Sequence, residues 1–363
     1  MLYEIFYPLK EIFFGFNLFK YITFRTFSAI ITSFVLVLIL MPPFIKYISK
    51  LQFKQVEREF GPESHLKKQG TPTMGGLLFI SVAILSSILW ARINNIYVIL
   101  ILIIMLGFGL IGFLDDYTKK IRKSHRGLSI FQKYSLQLLF SIMFITPLLF
   151  IPSFKPYFTK LFIPYTNNLV LNLPTWFMFL FYIIVITGAS NGVNLTDGID
   201  GLASGLAGIA FSVYGIFAYL AGNIVIANYL LIPYIDRVGE VAVIAGSIVG
   251  ALGGFLWYNA HPAQIFMGDT GALSLGATLG AISIITKQEL LLIVVGMIFV
   301  LETLSTALQI IYYRFTNGKR IFKMAPLHHH FELSGWNETQ VLIRFWILGI
   351  VFALIALASL KIR

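Results

Sequence analysis

Long apolar runs separated by short polar stretches form the main pattern of this sequence. A helix needs roughly 20 apolar residues to cross the hydrocarbon core of a bilayer, and most of the runs approach that length. Apolar residues fill the runs on every side instead of following one helical face, which is typical of buried or lipid-exposed helices. We predict about ten transmembrane helices, at residues 27–47, 74–91, 96–114, 130–151, 173–189, 202–221, 241–258, 272–286, 290–313 and 341–360.

The basic residues predict how these helices are oriented. Lys and Arg are retained in cytoplasmic loops, and 17 of the 27 lie on the face reached after the odd-numbered helices. We therefore expect an all-α polytopic membrane protein with both termini outside, built as a single integral-membrane domain over residues 1–363. Its cytoplasmic loops are expected at about 48–73, 115–129, 190–201, 259–271 and 314–340.

The composition supports this fold class and excludes several functions. Hydrophobic residues make up 58% of the chain and charged residues 12%, whereas soluble domains carry about 25% charged residues. The net charge of +11 follows from the basic loops, so it does not indicate binding of nucleic acid. Because the chain has no cysteine, only His, Asp and Glu are left for metal binding or covalent chemistry.

The residues suited to chemistry gather on one side of the predicted membrane. All six histidines and five of the six aspartates fall on the cytoplasmic side. A transporter is expected to place ionisable groups near the middle of the bilayer, along a pathway. The one-sided distribution instead favours an enzyme with its active site at the cytoplasmic face and a water-soluble substrate.

Two adjacent carboxylates, Asp115 and Asp116, end the third predicted helix in the motif Gly-Phe-Leu-Asp-Asp-Tyr. In phosphate chemistry, Mg²⁺ is commonly held by one or two carboxylates together with substrate phosphates. The pair is therefore a candidate for a Mg²⁺ site or a general base. The alternative is a solvated helix end without a function.

A polar loop after the fifth predicted helix combines carboxylates, amides and glycines. It reads Asn-Leu-Thr-Asp-Gly-Ile-Asp-Gly and contains Asn194, Asp197 and Asp200. This spacing suits a loop that approaches a polar ligand with both side chains and backbone. A polar turn without a function is the alternative.

A second polar loop precedes the eighth predicted helix and contains Asn259, Phe266 and Asp269. Asp269 is a candidate metal ligand, and the alternative is an N-cap for the helix that follows. Phe266 could stack on a base, and the alternative is an aromatic residue at the membrane interface.

His328, His329 and His330 are consecutive in the last cytoplasmic loop. Because consecutive imidazoles point in different directions in any regular backbone, we expect them to have separate partners instead of one shared ion. The alternative is a chance run of histidines without a role.

A basic, glycine-containing loop precedes the second predicted helix and includes Lys68 and Thr71. Its cations and exposed backbone N–H groups suit anionic ligands. Anchoring to acidic lipid headgroups is the alternative.

Several residues within the apolar runs predict helix packing. Gly246, Gly250 and Gly254 follow one another in steps of four, a pattern that brings helices close together. Glu302 lies within the ninth apolar run, where a carboxylate is costly unless it is hydrogen-bonded. We expect Glu302 to hold helices together near the site.

The order of these motifs along the chain is more specific for a protein family than any single motif is. The chain resembles the polyprenyl-phosphate N-acetylhexosamine-1-phosphate transferases in Thr-Pro-Thr-Met-Gly-Gly, Asp-Asp-Tyr, Asn-Leu-Thr-Asp-Gly-Ile-Asp-Gly, Met-Gly-Asp-Thr-Gly and Pro-Leu-His-His-His-Phe-Glu. The last motif is similar to the branch of these enzymes that transfers phospho-N-acetylmuramoyl-pentapeptide. The resemblance extends from about Lys46 to the last helix.

The resemblance implies an enzyme of the bacterial inner membrane that acts in peptidoglycan synthesis. Its substrates would be UDP-MurNAc-pentapeptide and undecaprenyl phosphate, its cofactor Mg²⁺, and its products lipid I and UMP at the cytoplasmic leaflet. Two other functions stay open: transfer from UDP-N-acetylglucosamine, and proton-coupled transport. A homodimer is also left open.

Carried over residue by residue, the resemblance implies a role for each candidate. Asp269 would be the main Mg²⁺ ligand, Asp115 a second ligand or an orienting carboxylate, Asp116 the base or nucleophile, and His328 a catalytic-site histidine near the metal. The nucleotide and amino-sugar pocket would contain Asn194, Asp197, Asp200, Asn259, Phe266 and His329, with Phe266 stacked on uracil. Further substrate-binding candidates are Lys68, Lys119 and Lys133 for the phosphates, together with Thr71 and His330.

Overall fold

The computed structural model describes residues 1–51, 70–122, 127–166 and 169–361, and its regular structure is almost entirely helical. The helices are α1 (Leu2–Phe6), α2 (Ile22–Lys50), α3 (Gly75–Trp90), α4 (Ile96–Ile121), α5 (Ile130–Leu148), α6 (Thr175–Thr196), α7 (Leu202–Ala221), α8 (Ile224–Leu230), α9 (Val241–Asn259), α10 (Gly268–Ile285), α11 (Leu291–Val295), α12 (Met297–Phe315), α13 (Leu327–Glu332) and α14 (Glu338–Ala358). Short 3-10 helices occur at Tyr7–Glu11, Phe14–Lys20, Lys155–Tyr157, Val238–Glu240 and Ser359–Lys361.

A small antiparallel ribbon connects α5 to α6. It consists of β1 (Lys160–Phe162) and β2 (Val170–Asn172), with Leu161 opposite Leu171. The ribbon is a departure from the all-α class that we expected. Its strands are too short to produce a readable alternation of apolar and polar residues.

Each of the ten predicted segments coincides with a helix, and the ninth is interrupted at Gly296, between α11 and α12. In the part of the chain that the structure describes, seven helices are long and apolar enough to cross a membrane: α2, α4, α6, α7, α9, α10 and α14. Helix α3 is apolar but has only 16 residues. A multi-pass helical fold is therefore supported, while the count of ten spans and the orientation of the termini stay predictions.

Helix α10 is the most enclosed of these candidate membrane helices. It contacts α3, α4, α6 and α7. Its sequence begins Gly-Asp-Thr-Gly-Ala-Leu-Ser-Leu-Gly, and such small residues let neighbouring backbones approach closely. This packing fixes the position of Asp269 in the first turn of α10.

The glycines of α9 pack against α2, which confirms the predicted helix packing and identifies the partner helix. A side chain at Gly250 would overlap the backbone carbonyl of Ile30 and the hydroxyl of Ser33, and Gly246 and Gly254 also face residues of α2. The absence of side chains therefore sets the spacing between the two helices.

Buried ion pairs lie at the far ends of the helices from Asp269. Helix α10 has 18 residues and a length of about 27 Å. Asp269 lies in its first turn, whereas Lys287 and Glu289 follow its last turn. In the same way, α9 separates Glu240, which pairs with Arg25, from the loop that precedes α10. The two ends of the helices therefore carry separate groups of charged side chains.

Candidate active site

Three carboxylates meet where α4 nears its end and α10 begins. Ligand oxygens of Asp115, Asp116 and Asp269 all lie within 4.8 Å of one another. Gly112 permits this approach, because a side chain there would overlap the backbone of Asp269 and Thr270. Two motifs that are 153 residues apart thus form one acidic cluster, which we define as Asp115, Asp116 and Asp269.

Two lysines face the acidic cluster. The Nζ atom of Lys119 lies 2.6 Å from Asp115, 3.0 Å from Asp269 and 3.8 Å from Asp116. The Nζ atom of Lys133, from α5, lies 3.0 Å from the same oxygen of Asp269. Three carboxylates against two ammonium groups leave an excess of negative charge, so the cluster attracts cations.

Backbone N–H groups orient the Asp-Asp pair. Asp116 accepts hydrogen bonds from the N–H of Asp269 at 3.3 Å and from the N–H and hydroxyl of Thr270 at 3.2 and 3.1 Å. These donors belong to the start of α10, where unpaired N–H groups and the helix dipole favour a negative charge. Asp115 accepts from the N–H of Leu128 at 2.8 Å. Other parts of the chain therefore hold both carboxylates in place.

The Thr-Pro-Thr-Met-Gly-Gly segment supports the loop before α10. The N–H groups of Gly75 and Gly76 donate to the carbonyls of Phe266 and Met267, respectively, both at 2.8 Å. Gly268 has a φ of +74°, and a side chain there would crowd the carboxylate of Asp116. The segment thus shapes the backbone on which Asp269 is mounted, with Phe266 half-buried beside it.

Asp197 connects the acidic cluster to a second group of charges. Burial and the negative charges of Asp269, Asp116 and Asp200 raise the pKa of its carboxyl to about 7, and a hydrogen bond from the backbone of Gly268 opposes the shift. Because opposite charge favours the ionised form of an acid, a cation in the acidic cluster would favour the carboxylate form of Asp197.

The second group consists of Asp200, His261 and Glu338, and we call it the His261 group. Its ligand atoms also lie within 4.8 Å of one another. Nδ1 of His261 is 3.0 Å from Asp200 and 3.6 Å from Glu338, and the backbone N–H of Asp200 donates to Glu338 at 3.0 Å. The side chain of His261 is 40% exposed, so the group is accessible from outside the protein.

The side-chain amide of Asn259 forms hydrogen bonds within the protein. Its Oδ1 atom accepts from the N–H of Gly201 at 3.1 Å and the hydroxyl of Ser204 at 3.0 Å, and its Nδ2 atom donates to the carbonyl of Ile265 at 3.0 Å. Asn259 therefore ties the start of α7 to the loop before α10, whereas the Asn-Leu-Thr part of the predicted polar loop lies in the last turn of α6. A contact of its side chain with a substrate stays a prediction.

The three consecutive histidines have separate partners, which confirms the expectation from the sequence. Nδ1 of His328 lies 3.1 Å from Glu302. Nδ1 of His329 lies 2.9 Å from Glu332. Nδ1 of His330 accepts from the backbone N–H of Lys323 at 3.1 Å. His328 is buried, whereas the other two are half-buried.

Similarity to known proteins extends over the whole chain. The profile of Glycosyl transferase family 4 matches residues 97–287, and Phospho-N-acetylmuramoyl-pentapeptide-transferase signature 1 matches residues 68–80. Proteins named phospho-N-acetylmuramoyl-pentapeptide-transferase from Desulfotalea psychrophila, Thermodesulfovibrio yellowstonii and Syntrophus aciditrophicus are 51%, 50% and 49% identical to this chain, over 100% of both chains in each case. The chain belongs to the phospho-N-acetylmuramoyl-pentapeptide-transferase family.

Membership of the phospho-N-acetylmuramoyl-pentapeptide-transferase family decides between the classes of function that the sequence left open. The chain is a transferase, so the proton-coupled transporter is set aside. The two matched ranges include both the acidic cluster and the Thr-Pro-Thr-Met-Gly-Gly segment that supports it.

The structure brings some of the predicted site residues together and leaves others apart. The acidic cluster and its direct contacts account for Asp115, Asp116, Asp269, Lys119 and Lys133. Thr71, Asn194 and Phe266 are half-buried, and Lys68 lies outside the described residues. The individual roles of all these residues stay predictions.

Glu338 of the His261 group is a residue that we did not identify from the sequence. Asn337 and Gln340 form a capping box at the start of α14, which places Glu338 in the first turn. That pattern marks where a helix begins, but it does not reveal the contact with Asp200, 138 residues away.

Proposed function

We propose that this chain catalyses the Mg²⁺-dependent transfer of phospho-MurNAc-pentapeptide from UDP-MurNAc-pentapeptide to undecaprenyl phosphate, which gives lipid I and UMP. The observation that supports the proposal is the acidic cluster. The chain that contains it is 50% identical, over its full length, to a protein named phospho-N-acetylmuramoyl-pentapeptide-transferase. The reaction is the first membrane step of peptidoglycan synthesis, and we assign it to the cytoplasmic face of the bacterial inner membrane.

The donor atoms of the acidic cluster fit Mg²⁺. This ion prefers oxygen ligands and is usually held by one or two carboxylates together with substrate phosphates. Asp269 and Asp115 would hold it, and the contacts of Lys119 with all three carboxylates indicate that positive charge is favoured at this point. When bound, the ion neutralises charge on the phosphates.

The reaction that we propose is a direct displacement. A phosphate oxygen of undecaprenyl phosphate bonds to the β-phosphorus of the donor, the bond from that phosphorus to the bridging oxygen breaks, and UMP leaves with the oxygen. Asp116 would accept any proton carried by the attacking phosphate. We favour this route over a covalent aspartyl intermediate, because positioning and charge stabilisation account for most catalysis of phosphoryl transfer.

The remaining candidates would bind and position the substrates. Lys119 and Lys133 would bind phosphate oxygens, and Phe266 would stack on uracil. The nucleotide and amino-sugar pocket is assigned to Thr71, Asn194, Asp197, Asp200, Asn259, His329 and His330. A homodimer has no support from the single chain that is described.

UMP release by the purified protein in detergent tests the proposal. The reaction contains undecaprenyl phosphate, UDP-MurNAc-pentapeptide and Mg²⁺, with EDTA and Asp269→Asn as controls. Release that requires the lipid, the metal and the aspartate would support the proposal. Release with UDP-N-acetylglucosamine alone would assign the sister activity, and no release with either donor would contradict the proposed transfer.

A further inference from the structure

A buried carboxylate of α12 contacts the first histidine of the run. Glu302 is fully buried, and both of its oxygens contact His328: Oε1 accepts from the backbone N–H at 3.2 Å, and Oε2 lies 3.1 Å from Nδ1. This confirms the expectation that Glu302 is hydrogen-bonded and joins helices. The contact with Nδ1 has a further effect, because it also fixes the imidazole ring.

The contact determines which nitrogen of the neutral His328 ring carries the proton. An ionised carboxylate only accepts hydrogen bonds, so Nδ1 is the donor and Nε2 is left as an acceptor. Nε2 is buried, and it has no hydrogen-bond partner within the described part of the chain. A buried polar atom without a partner is costly, and such atoms often have a catalytic or ligand-binding role.

The unpartnered nitrogen faces a loop that adjoins the acidic cluster. A side chain at Gly198 would overlap Nε2 of His328, so glycine leaves the space that the ring occupies. Gly198 directly follows Asp197, whose carboxyl is close enough to be influenced by the charges of Asp269 and Asp116. The ring is therefore directed at the same end of the molecule as the candidate metal ligands.

We propose that Glu302 is a positioning residue of the active site, which holds His328 with its proton on Nδ1 and its Nε2 atom facing the Asp197–Gly198 turn. This inference rests on the proposed function, with His328 as the catalytic-site histidine that the family resemblance implies. Glu302 itself touches no substrate. Buried carboxylates orient catalytic and metal-binding imidazoles in the same way in other enzymes.

Glu302→Gln tests the inference by reversing one hydrogen bond. The amide keeps an acceptor for the backbone N–H of His328 but can present an NH₂ group to Nδ1, which moves the ring proton to Nε2. In protein labelled with ¹⁵N-histidine, we expect the two ring nitrogens of His328 to exchange their protonated and unprotonated shifts. The signals are assigned by their absence from His328→Ala. We expect kcat for UMP release to fall by about 10–100-fold.

A double-mutant cycle separates positioning from a structural role. If Glu302 acts through His328, then adding Glu302→Gln to His328→Ala lowers kcat no further. The control is Ser305→Ala, which removes a buried hydroxyl that donates to the Glu302 carbonyl at 2.8 Å, and it is expected to leave kcat unchanged. Losses that multiply in the double variant would overturn the inference.

The glycine that accommodates the ring offers a second test. Gly198→Ala crowds Nε2 while Glu302 stays in place, and we expect a lower kcat with the proton still on Nδ1. Its matched control is Gly188→Ala in α6, where an added side chain would meet open space. Equal activities of the two variants would contradict the proposed direction of the ring.

The NMR measurement distinguishes a failure of this inference from a failure of the proposed function. If the unmodified protein releases no UMP, the proposed function fails, whereas the shifts of His328 still report the contact with Glu302. If His328 carries its proton on Nε2 in the unmodified protein, or if Glu302→Gln leaves its shifts unaltered, the positioning role is overturned whatever the activity.

Discussion

Two groups of charged side chains in this molecule differ in how their charges are balanced. The acidic cluster places three carboxylates against Lys119 and Lys133. At the far ends of the helices, Arg25 and Glu240 form a pair with two hydrogen bonds of 2.6 Å each. Glu240 also lies 3.5 Å from the guanidinium of Arg92, so the carboxylate of the second group has its cations within the protein, and we call such a carboxylate matched. The first group has more carboxylates than cations and is unmatched. The excess of carboxylates therefore marks the place where a cation is needed.

A second matched pair, Lys287 and Glu289, shows how burial affects two side chains of opposite charge. Nζ of Lys287 lies 2.6 Å from Glu289 and 2.7 Å from the hydroxyl of Tyr182, and all three side chains are buried. Burial lowers the pKa of Lys287 and raises the pKa of Glu289, because it penalises both charged forms, and their mutual attraction opposes the shifts. We call this pair and Arg25–Glu240 the distal ion pairs. Because each charge already has a partner of opposite sign, we expect these pairs to be structural.

The largest effect is expected from Asp269→Asn, which removes a carboxylate from the unmatched group. UMP release should fall by about 10³-fold or more, because a metal ligand at the reacting phosphates is lost. The midpoint of thermal unfolding should fall only modestly, because Lys119 and Lys133 each lose a carboxylate partner at 3.0 Å, while the relief of repulsion from the neighbouring carboxylates offsets part of that loss. Turnover and thermal unfolding in detergent, measured on one preparation, check both expectations.

A Mg²⁺ titration provides the control for Asp269→Asn. A ligand that binds only the folded state stabilises it by about 2.7 kcal/mol when its concentration is 100 times Kd, so Mg²⁺ should raise the Tm of the unmodified protein. Asp269→Asn should lose this response. Turnover like that of the unmodified protein, or an undiminished response to Mg²⁺, would contradict the assignment of the metal ligand.

The sequence predicts the unmatched group well because each of its members belongs to a local motif. Asp115, Asp116 and Asp269 occur in motifs whose order along the chain identifies the family, and the helices that bring them together follow from the apolar runs. The three separate partners of the histidine run are likewise a consequence of local backbone geometry.

The pair of Arg25 and Glu240 could not be predicted from the sequence, because its partners are distant in the chain. Arg25 and Glu240 are 215 residues apart, and neither belongs to a motif. The contact of Glu338 with the loop at Asp200 is missing from the sequence prediction for the same reason. Apolar periodicity reports which residues are buried, but it does not report which buried charges face each other.

The next largest effect is expected from Asp116→Asn, which removes one charge but keeps an acceptor oxygen for the N–H groups of α10. Turnover should fall by about 10²–10³-fold, since the proposed base is lost. Binding of UDP-MurNAc-pentapeptide and the stabilisation by Mg²⁺ should be retained, which equilibrium binding and thermal unfolding can measure. Unchanged turnover would exclude Asp116 as the base.

Glu240→Gln should produce the reverse result, with stability lost and chemistry retained. Breaking a buried pair leaves an uncompensated charge and costs about 3–5 kcal/mol, and Arg25 would be that charge. UMP release per folded molecule should stay close to that of the unmodified protein. A matched control is Asp236→Asn, since this carboxylate is exposed and lies near its basic neighbour Arg237 at 3.5 Å. Equal stability of the two variants would show that the buried pair contributes nothing to the fold.

The smallest effect is expected when both members of a distal ion pair are replaced by apolar residues. Lys287→Met alone leaves Glu289 buried without its cation and should destabilise the protein. Adding the second substitution, Glu289→Leu, should return the stability to within about 1 kcal/mol of the unmodified protein. Tyr182 keeps a partner in both variants, because its hydroxyl also donates to the carbonyl of Phe158 at 2.8 Å. Thermal unfolding of the two single variants and the double variant measures this coupling. The same paired replacement of Asp115 and Lys119 should instead abolish UMP release, because it removes a proposed metal ligand and a proposed phosphate contact that apolar side chains cannot replace.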